Sequence, residues 1–357
     1  MSIERLLAWA RSMLAPDTYE RTMAAAYADL QHELTTLDGA ARARAERRGR
    51  WMLMRVLWGA MCEDRRIHRR GVAWWRFGGP LLAVVAGFAA LPGDLGIATQ
   101  LAFLAPALVL GVWMAGTPRR VIAREAAGAA WIAVTVVGLV AAVNIAAEPS
   151  GDRLWRWIII GPLRIHAATC FLPFVALGLG ALACRGATRH LLALGTAALA
   201  SVAATADLAM TVVYGAVALA SGLIGAGARG LVVVPPIAVA IVVAALVDPG
   251  LAAVPRSEGV IAGLAEHPLG LALALIALAA AIAAPLAMAT RDRWARAVGV
   301  SAALALVVPL ALNPFVPTPI PLLGYGGSAI VAAFLALGAT LSLARAPTGD
   351  QGPRPSA

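Results

Sequence analysis

The stretch Asn313-Pro314-Phe315-Val316-Pro317-Thr318-Pro319-Ile320-Pro321-Leu322-Leu323-Gly324-Tyr325-Gly326-Gly327-Ser328 leads without a charged residue into a mostly apolar run that ends at Leu343. Its four prolines within eight residues keep the first half out of any helix, because proline lacks the amide N–H and clashes with the preceding turn. The run behind it, 325–343, has the length that a helix needs to cross a bilayer, about 20 residues. The passage therefore reads as a non-helical entry followed by a membrane span. Moving back along the chain, apolar stretches of the same kind follow one another as far as Phe77, separated by short polar breaks. They predict spans over 77–92, 97–115, 126–147, 158–183, 189–205, 208–226, 230–247, 262–289, 297–312 and 325–343. The fifth and sixth are poorly separated, which leaves nine as the alternative count. Composition agrees: of 357 residues 61% are hydrophobic and 13% charged, and the mean hydropathy is +0.80. Soluble domains carry about 25% charged residues, so a single soluble core is excluded, and so is disorder. The fold class is all-α and polytopic.

The chain carries a formal charge of +10, and all 29 of its basic residues are arginine. Fourteen of them precede Phe77, in a segment that differs in kind from the rest. Residues 1–76 read as a basic prefix of three short helices, roughly 2–14, 17–36 and 39–68, with breaks at Pro16-Asp17-Thr18 and Asp38-Gly39. The third carries Arg42, Arg44, Arg47, Arg48 and Arg50, followed by Trp51, Met52, Leu53, Val56, Leu57 and Trp58. A cytoplasmic prefix lying against an anionic membrane surface is the plain reading, and a regulatory or partner-binding domain the sharper one. The basic segment is not read as a nucleic-acid site, and no signal peptide pattern precedes it. Cys62, Cys170 and Cys184 are too far apart for a disulfide framework or a zinc site.

With the prefix inside, alternate breaks should be cytoplasmic and rich in arginine. They hold Arg119, Arg120 and Arg124, then Arg185 and Arg189, Arg229, then Arg291, Arg293 and Arg296, and Arg345. The opposite breaks hold Asp94, Glu148, Asp152, Asp248 and Glu258, along with Arg153, Arg156 and Arg256. This predicts a membrane domain over 77–345, both chain ends cytoplasmic, and a disordered tail over 346–357.

Besides the passage before the last span, two stretches rise above the background of Ala, Leu and Val. One is Arg156-Trp157-Ile158-Ile159-Ile160-Gly161-Pro162-Leu163-Arg164-Ile165-His166-Ala167-Ala168-Thr169; the other is Ala206-Asp207-Leu208-Ala209-Met210-Thr211. Together the three resemble the SEDS family, the RodA/FtsW group of bacterial cell-wall synthases. In that family the first motif is Arg-Trp-Ile, then Gly, then Gln-Pro-Ser-Glu; here the frame Arg156 to Pro162 is kept and the second half reads His166 to Thr169. The family's Pro-Asp-Leu-Gly corresponds to Ala206 to Ala209. Its closing Pro-Leu-Pro-Phe-Ile-Ser-Tyr-Gly-Gly-Ser corresponds to Pro319 to Ser328. The resemblance covers about 75–345, and the family also has ten spans.

It implies a glycosyltransferase that polymerises lipid II at the outer face of the membrane, in cell-shape or division synthesis. An acceptor hydroxyl attacks the anomeric carbon of the growing chain, and undecaprenyl pyrophosphate leaves. Such a reaction needs a carboxylate base and positive charge for the leaving group. The family's essential acid aligns with Glu258, and the first of its paired glutamates with Glu266. The resemblance thus makes Glu258 the base, with Arg156, Arg164 and Arg256 on the pyrophosphate and Glu266, Asp207, Tyr325 and Ser328 as further substrate contacts. It implies a single-pass transpeptidase partner, a class B penicillin-binding protein. No cofactor is indicated, and a divalent cation is left open. Two departures stand out: glutamate replaces the family's aspartate at 258, and the preceding outer loop is very short.

Each of these residues has a plainer reading. Asp207 at a helix junction can be an N-cap, Glu266 a buried structural partner, and His166 a hydrogen-bonded packing residue. Arg156 and Arg164 can pair with Glu148 and Asp152, and the small residues around Tyr325 and Ser328 can simply let helices approach. The runner-up function is accordingly a catalytically inactive scaffold or regulator on the same ten-helix body. A transporter fits composition alone, but the spans hold very few charges for a polar pathway.

Overall fold

The computed structural model describes residues 3–14, 16–70, 77–90, 97–147, 156–160, 163–247, 268–288, 292–313, 315, 322 and 327–344. The chain divides into two compact units, Met1–Val72 with Gly116–Arg124, and Ala73–Ala115 with Glu125–Ala357.

The first unit contains α1 (Ile3–Met13), α2 (Pro16–Tyr19), a π-turn (Glu20–Ala24) running into α3 (Ala25–Thr35), and α4 (Gly39–Arg70). Gly39, at φ +52°, makes the break before α4 in a conformation that costs glycine little. The core of the unit is Leu6, Ala10, Leu14, Tyr19, Met23, Leu30, Leu53, Leu57 and Ala60. Arg120 Nε donates to Met13 O at 3.0 Å, placing a cation on the carbonyl end of α1, where the helix dipole favours it.

In the second unit the described residues form ten apolar helices. These are α5 (Gly78–Ala90), α6 (Ile97–Ala115), α7 (Arg119–Ala147, its first turns belonging to the first unit), α8 (Ala167–Cys184), α9 (Thr188–Ala203), α10 (Leu208–Ala226), α11 (Val234–Val247), α12 (Pro268–Met288), α13 (Arg293–Leu312) and α14 (Gly327–Ala344). At 1.5 Å per residue, α8, α13 and α14 reach about 27–30 Å, the thickness of a hydrocarbon core. By length and composition Arg119–Ala147, Ala167–Cys184, Arg293–Leu312 and Gly327–Ala344 are each able to cross a membrane. The protein is a polytopic helical membrane protein.

The helices meet through small side chains, as they must where lipid gives no hydrophobic drive to association. A Cβ on Gly338 of α14 would lie 2.2 Å from the Gly111 carbonyl oxygen of α6. The stretch 208–247 is apolar throughout but is not one rod. It turns through a 3-10 segment (Gly227–Val233) after Gly227 at φ +61°. Gly222 then faces the backbone of Gly230, and Gly215 faces Ile237, so α11 runs back along α10.

One expected span is corrected. Helix was expected from 158, but α8 begins only at Ala167, and β1 (Trp157–Ile160) and β2 (Leu163–His166) precede it as an antiparallel hairpin. Its register pairs Trp157 with His166 and Ile159 with Arg164, and Ala167 N–H donates to Arg156 O at 3.1 Å to extend the ladder. The β-branched run Ile158-Ile159-Ile160 favours a pleated strand, and Gly161-Pro162 is a turn signal. The fifth and sixth spans, poorly separated in the sequence, are distinct helices: residues 204–206 form a turn between them in which Ala206 takes φ +53°.

Candidate functional site

The first residues of α8, α10 and α14, the last turn of α7 and the hairpin come together at one end of the helices. Asp207 organises the meeting point. It is the N-cap of α10, in extended conformation, with Oδ1 accepting from Met210 N–H at 2.9 Å, the bond by which Asp ordinarily satisfies a free helical amide. Oδ2 lies 2.9 Å from His166 Nε2 and 3.7 Å from an Arg156 guanidinium nitrogen. Asp207 and His166 are each 2% exposed and Arg156 9%, so the three form a dry cluster.

His166 caps α8 in the same way. Its Nδ1 accepts from Thr169 N–H at 3.3 Å and lies 2.8 Å from Thr169 Oγ1. A ring nitrogen that accepts a backbone N–H carries no proton, which assigns the ring proton to Nε2 and directs it at Asp207. The ring edge packs against Trp157 with centroids 5.1 Å apart. The His166 backbone N–H donates to Ser328 Oγ at 2.8 Å, tying the hairpin to the first turn of α14. Asn144 Nδ2 donates to Trp157 O at 3.2 Å, and Tyr214 OH to Ala168 O at 2.7 Å.

Within the cluster one guanidinium faces one carboxylate, and the His166 ring bridges that carboxylate to Thr169. Burial pushes the Asp207 carboxyl up, but the His166 hydrogen bond, the nearby cationic charge and the Met210 amide together outweigh it and hold the group below its ordinary value. Each of its oxygens accepts one hydrogen bond, Oδ1 from Met210 N–H and Oδ2 from His166 Nε2, and the carboxylate faces Arg156, so its visible role is to hold the cluster together.

The structure thus joins Arg156, Asp207 and Ser328, which come from the three separate stretches singled out in the sequence. Arg164 lies on β2 of the same hairpin. Glu258, Arg256, Glu266 and Tyr325 lie outside the described residues. His166 and Thr169 complete the cluster: His166 is the hydrogen-bonded packing residue the sequence suggested, while its bond to Asp207 and the part of Thr169 were not foreseen, though their spacing of three is that of an N-cap and the amide it holds. Among the described residues no three His, Cys, Asp or Glu side chains gather as a metal site would require. Beside Thr169 and Met210 a narrow apolar crevice of about 30 Å³ runs between α8, α10, α13 and α14.

A bundle of membrane-crossing helices pinned at one end by a buried Arg–Asp–His cluster defines a polytopic integral membrane protein. Its fold is that of RodA, the Rod shape determining protein of Thermus thermophilus. One crystal structure, of a RodA mutant, superposes with a TM-score of 0.59 at 20% identity, covering 77% of this chain and 97% of RodA. A second, of RodA itself, gives 0.57 at 18% identity over the same shares. A chain from a peptidoglycan synthase complex that coordinates polymerization and crosslinking gives 0.57 at 20% identity, covering 78% of this chain and 99% of that one. No family model matches the sequence, and no curated protein does.

Proposed function

We propose that the chain is a diverged member of the SEDS family and acts in peptidoglycan synthesis as a polymerase of lipid II. The observation that carries this reading is the convergence of all three family-like stretches on one buried cluster, within a fold shared with RodA. Spacing along a sequence can match by chance; joining three distant segments through Arg156–Asp207 and His166–Ser328 is a far stricter coincidence. In this reading the chain sits in the bacterial plasma membrane with both ends in the cytoplasm and the cluster toward the outer face. Glu258 takes the proton of the acceptor hydroxyl, and Arg164 and Arg256 neutralise the departing pyrophosphate. Arg156, turned inward to Asp207, positions the hairpin. A class B penicillin-binding protein is the partner for crosslinking, as fits the complex among the structural relatives.

One observation favours the second reading, an inactive scaffold of cell-wall synthesis. Thr169 stands where the family pattern has its glutamate, so the cluster has no carboxylate free of a partner. The two readings separate in one assay. Purified protein in lipid nanodiscs is given lipid II, with and without a class B penicillin-binding protein, and glycan chains are resolved on a gel. Chains that vanish in Glu258→Gln support the polymerase; a folded preparation that makes none under either condition supports the scaffold.

A further inference from the structure

The long helix of the first unit, α4, has two faces. Ala45, Gly49, Leu53, Leu57 and Ala60 turn inward to the unit's own packing. On the other side Arg44, Arg48, Trp51, Arg55, Trp58 and Cys62 follow at intervals of four, three, four, three and four, which aligns them on one stripe of an α-helix. All six are exposed. Trp51 is 68% exposed and Trp58 67%, with Met52 and Met54 beside them at 40% each. Arg47, Arg48 and Arg55 surround Trp51 in a shallow depression with Met52 and Val56. Arg48 makes one solvent-exposed contact, to Glu33 at 3.9 Å. Among the described residues Arg44, Arg47 and Arg55 have no acidic partner.

Two tryptophans and two methionines left to water on a folded helix form an apolar patch of a kind that marks an interaction surface. Its rim is guanidinium, and its aromatic residues are of the type that settles at the level of lipid headgroups. We propose that this stripe docks the first unit flat onto an anionic lipid surface, with Trp51 and Trp58 entering the headgroup layer and Arg44, Arg47, Arg48 and Arg55 holding phosphates.

Three points choose lipid over another occupant. The charge is complementary to an anionic leaflet, which attracts basic residues at its surface. Residues 71–77 are all that separate α4 from membrane helix α5, a tether of at most about 25 Å. The connection Gly116–Arg124, between α6 and α7, is itself part of the unit. A lipid surface is therefore always within reach, at an effective concentration that no soluble partner matches. The inference rests on the membrane fold alone and stands or falls independently of the synthase reading.

Cys62, at the end of the stripe and exposed, supplies the probe. The full-length chain carrying Cys170→Ala and Cys184→Ser is labelled at Cys62 with an environment-sensitive fluorophore. It is placed in nanodiscs of phosphatidylcholine alone or with one quarter phosphatidylglycerol, each with a lipid-borne quencher. Docking gives strong quenching in the anionic discs, at least threefold weaker in the neutral ones, and weaker again as salt is raised. Arg44→Gln, Arg48→Gln and Arg55→Gln together lower the docked-to-undocked ratio at least tenfold, and Trp51→Ser with Trp58→Ser does the same with helicity unchanged. Equal quenching in both discs overturns the proposal. So does a label left in water in anionic discs, which is what an acidic soluble partner predicts. Protection that rises with protein concentration assigns the face to a second copy and overturns it equally.

Discussion

Removing the charge of Asp207 while keeping its shape gives the sharpest test of the cluster. Asp207→Asn retains a capping oxygen for Met210 N–H, but the amide nitrogen then confronts His166 Nε2–H, donor against donor. Arg156 is left charged and 9% exposed without its carboxylate. At 3.7 Å and an effective dielectric near 20, the lost attraction is about 4–5 kcal/mol before desolvation is counted. Breaking one side of a buried pair costs about 3–5 kcal/mol, whereas exchanging both partners for neutral groups of similar size is close to neutral. The assay is a double-substitution cycle on protein in detergent, with folded protein followed by size-exclusion fluorescence after heating. Asp207→Asn should lower the midpoint by roughly 5–10 °C. Arg156→Met combined with it should recover part of the loss, with a coupling of about 2 kcal/mol. Single costs that add to within about 0.5 kcal/mol would refute the view that these two charges hold each other in place.

Three further outcomes follow from the same geometry. Ala206 holds φ +53°, where an L-residue is strained by about 1–2 kcal/mol; Ala206→Gly should stabilise by about 1 kcal/mol, and Ala206→Pro, locked near φ −65°, should destabilise, both read as midpoint shifts. Gly338→Val should part α6 from α14, because its Cβ would meet the Gly111 carbonyl oxygen at 2.2 Å; overpacking of this kind costs about 1–3 kcal/mol or more and will show as a lower midpoint. The Asp207 carboxyl is held below its ordinary value near 3.8, so its contribution to stability is complete above that pH and is lost as acid carries the carboxylate through its lowered value. Wild-type midpoints should fall in that acid range, and those of Asp207→Asn should stay flatter there.

The helices were legible because lipid imposes one requirement on every span, a length of apolar sequence, and Phe77 to Leu343 states it repeatedly. The hairpin was not. Trp157-Ile158-Ile159-Ile160 is an apolar run as well suited to a buried helix as to a strand, and periodicity cannot separate the two in so few residues. The deciding cues were local: three β-branched residues together and Gly161-Pro162 behind them. The fold of 208–247 was half legible, since Gly227-Ala228-Arg229-Gly230 marks a break, yet only the structure shows Gly222 and Gly230 back to back. Of the site, the sequence marked Arg156, Asp207 and Ser328 separately. That Arg156 meets Asp207, and Ser328 the backbone of His166, depends on helix packing, which no short window contains. His166 was legible as a hydrogen-bonded packing residue, but its partner, 41 residues away, was not.

The buried cluster also constrains where chemistry can occur. Asp207 is capped, hydrogen-bonded and charge-paired, so on the proposed reading the base that deprotonates the acceptor hydroxyl is another acid. The resemblance to the family's motif gives Glu258 that place, and the consequence is a separation of effects. On the proposed reading Glu258→Gln should abolish glycan polymerisation, a loss of at least 100-fold as expected for removal of a general base, and leave the thermal midpoint within about 1 °C, as for a substitution that keeps side-chain size and removes only a charge. Asp207→Asn should do the reverse: its activity, measured on lipid II well below its lowered midpoint, should fall only with the fraction of folded protein. If Asp207→Asn abolishes polymerisation in fully folded protein while Glu258→Gln turns over normally, the cluster is itself the catalytic centre. The assignment of Asp207, His166 and Arg156 to holding the hairpin would then be wrong.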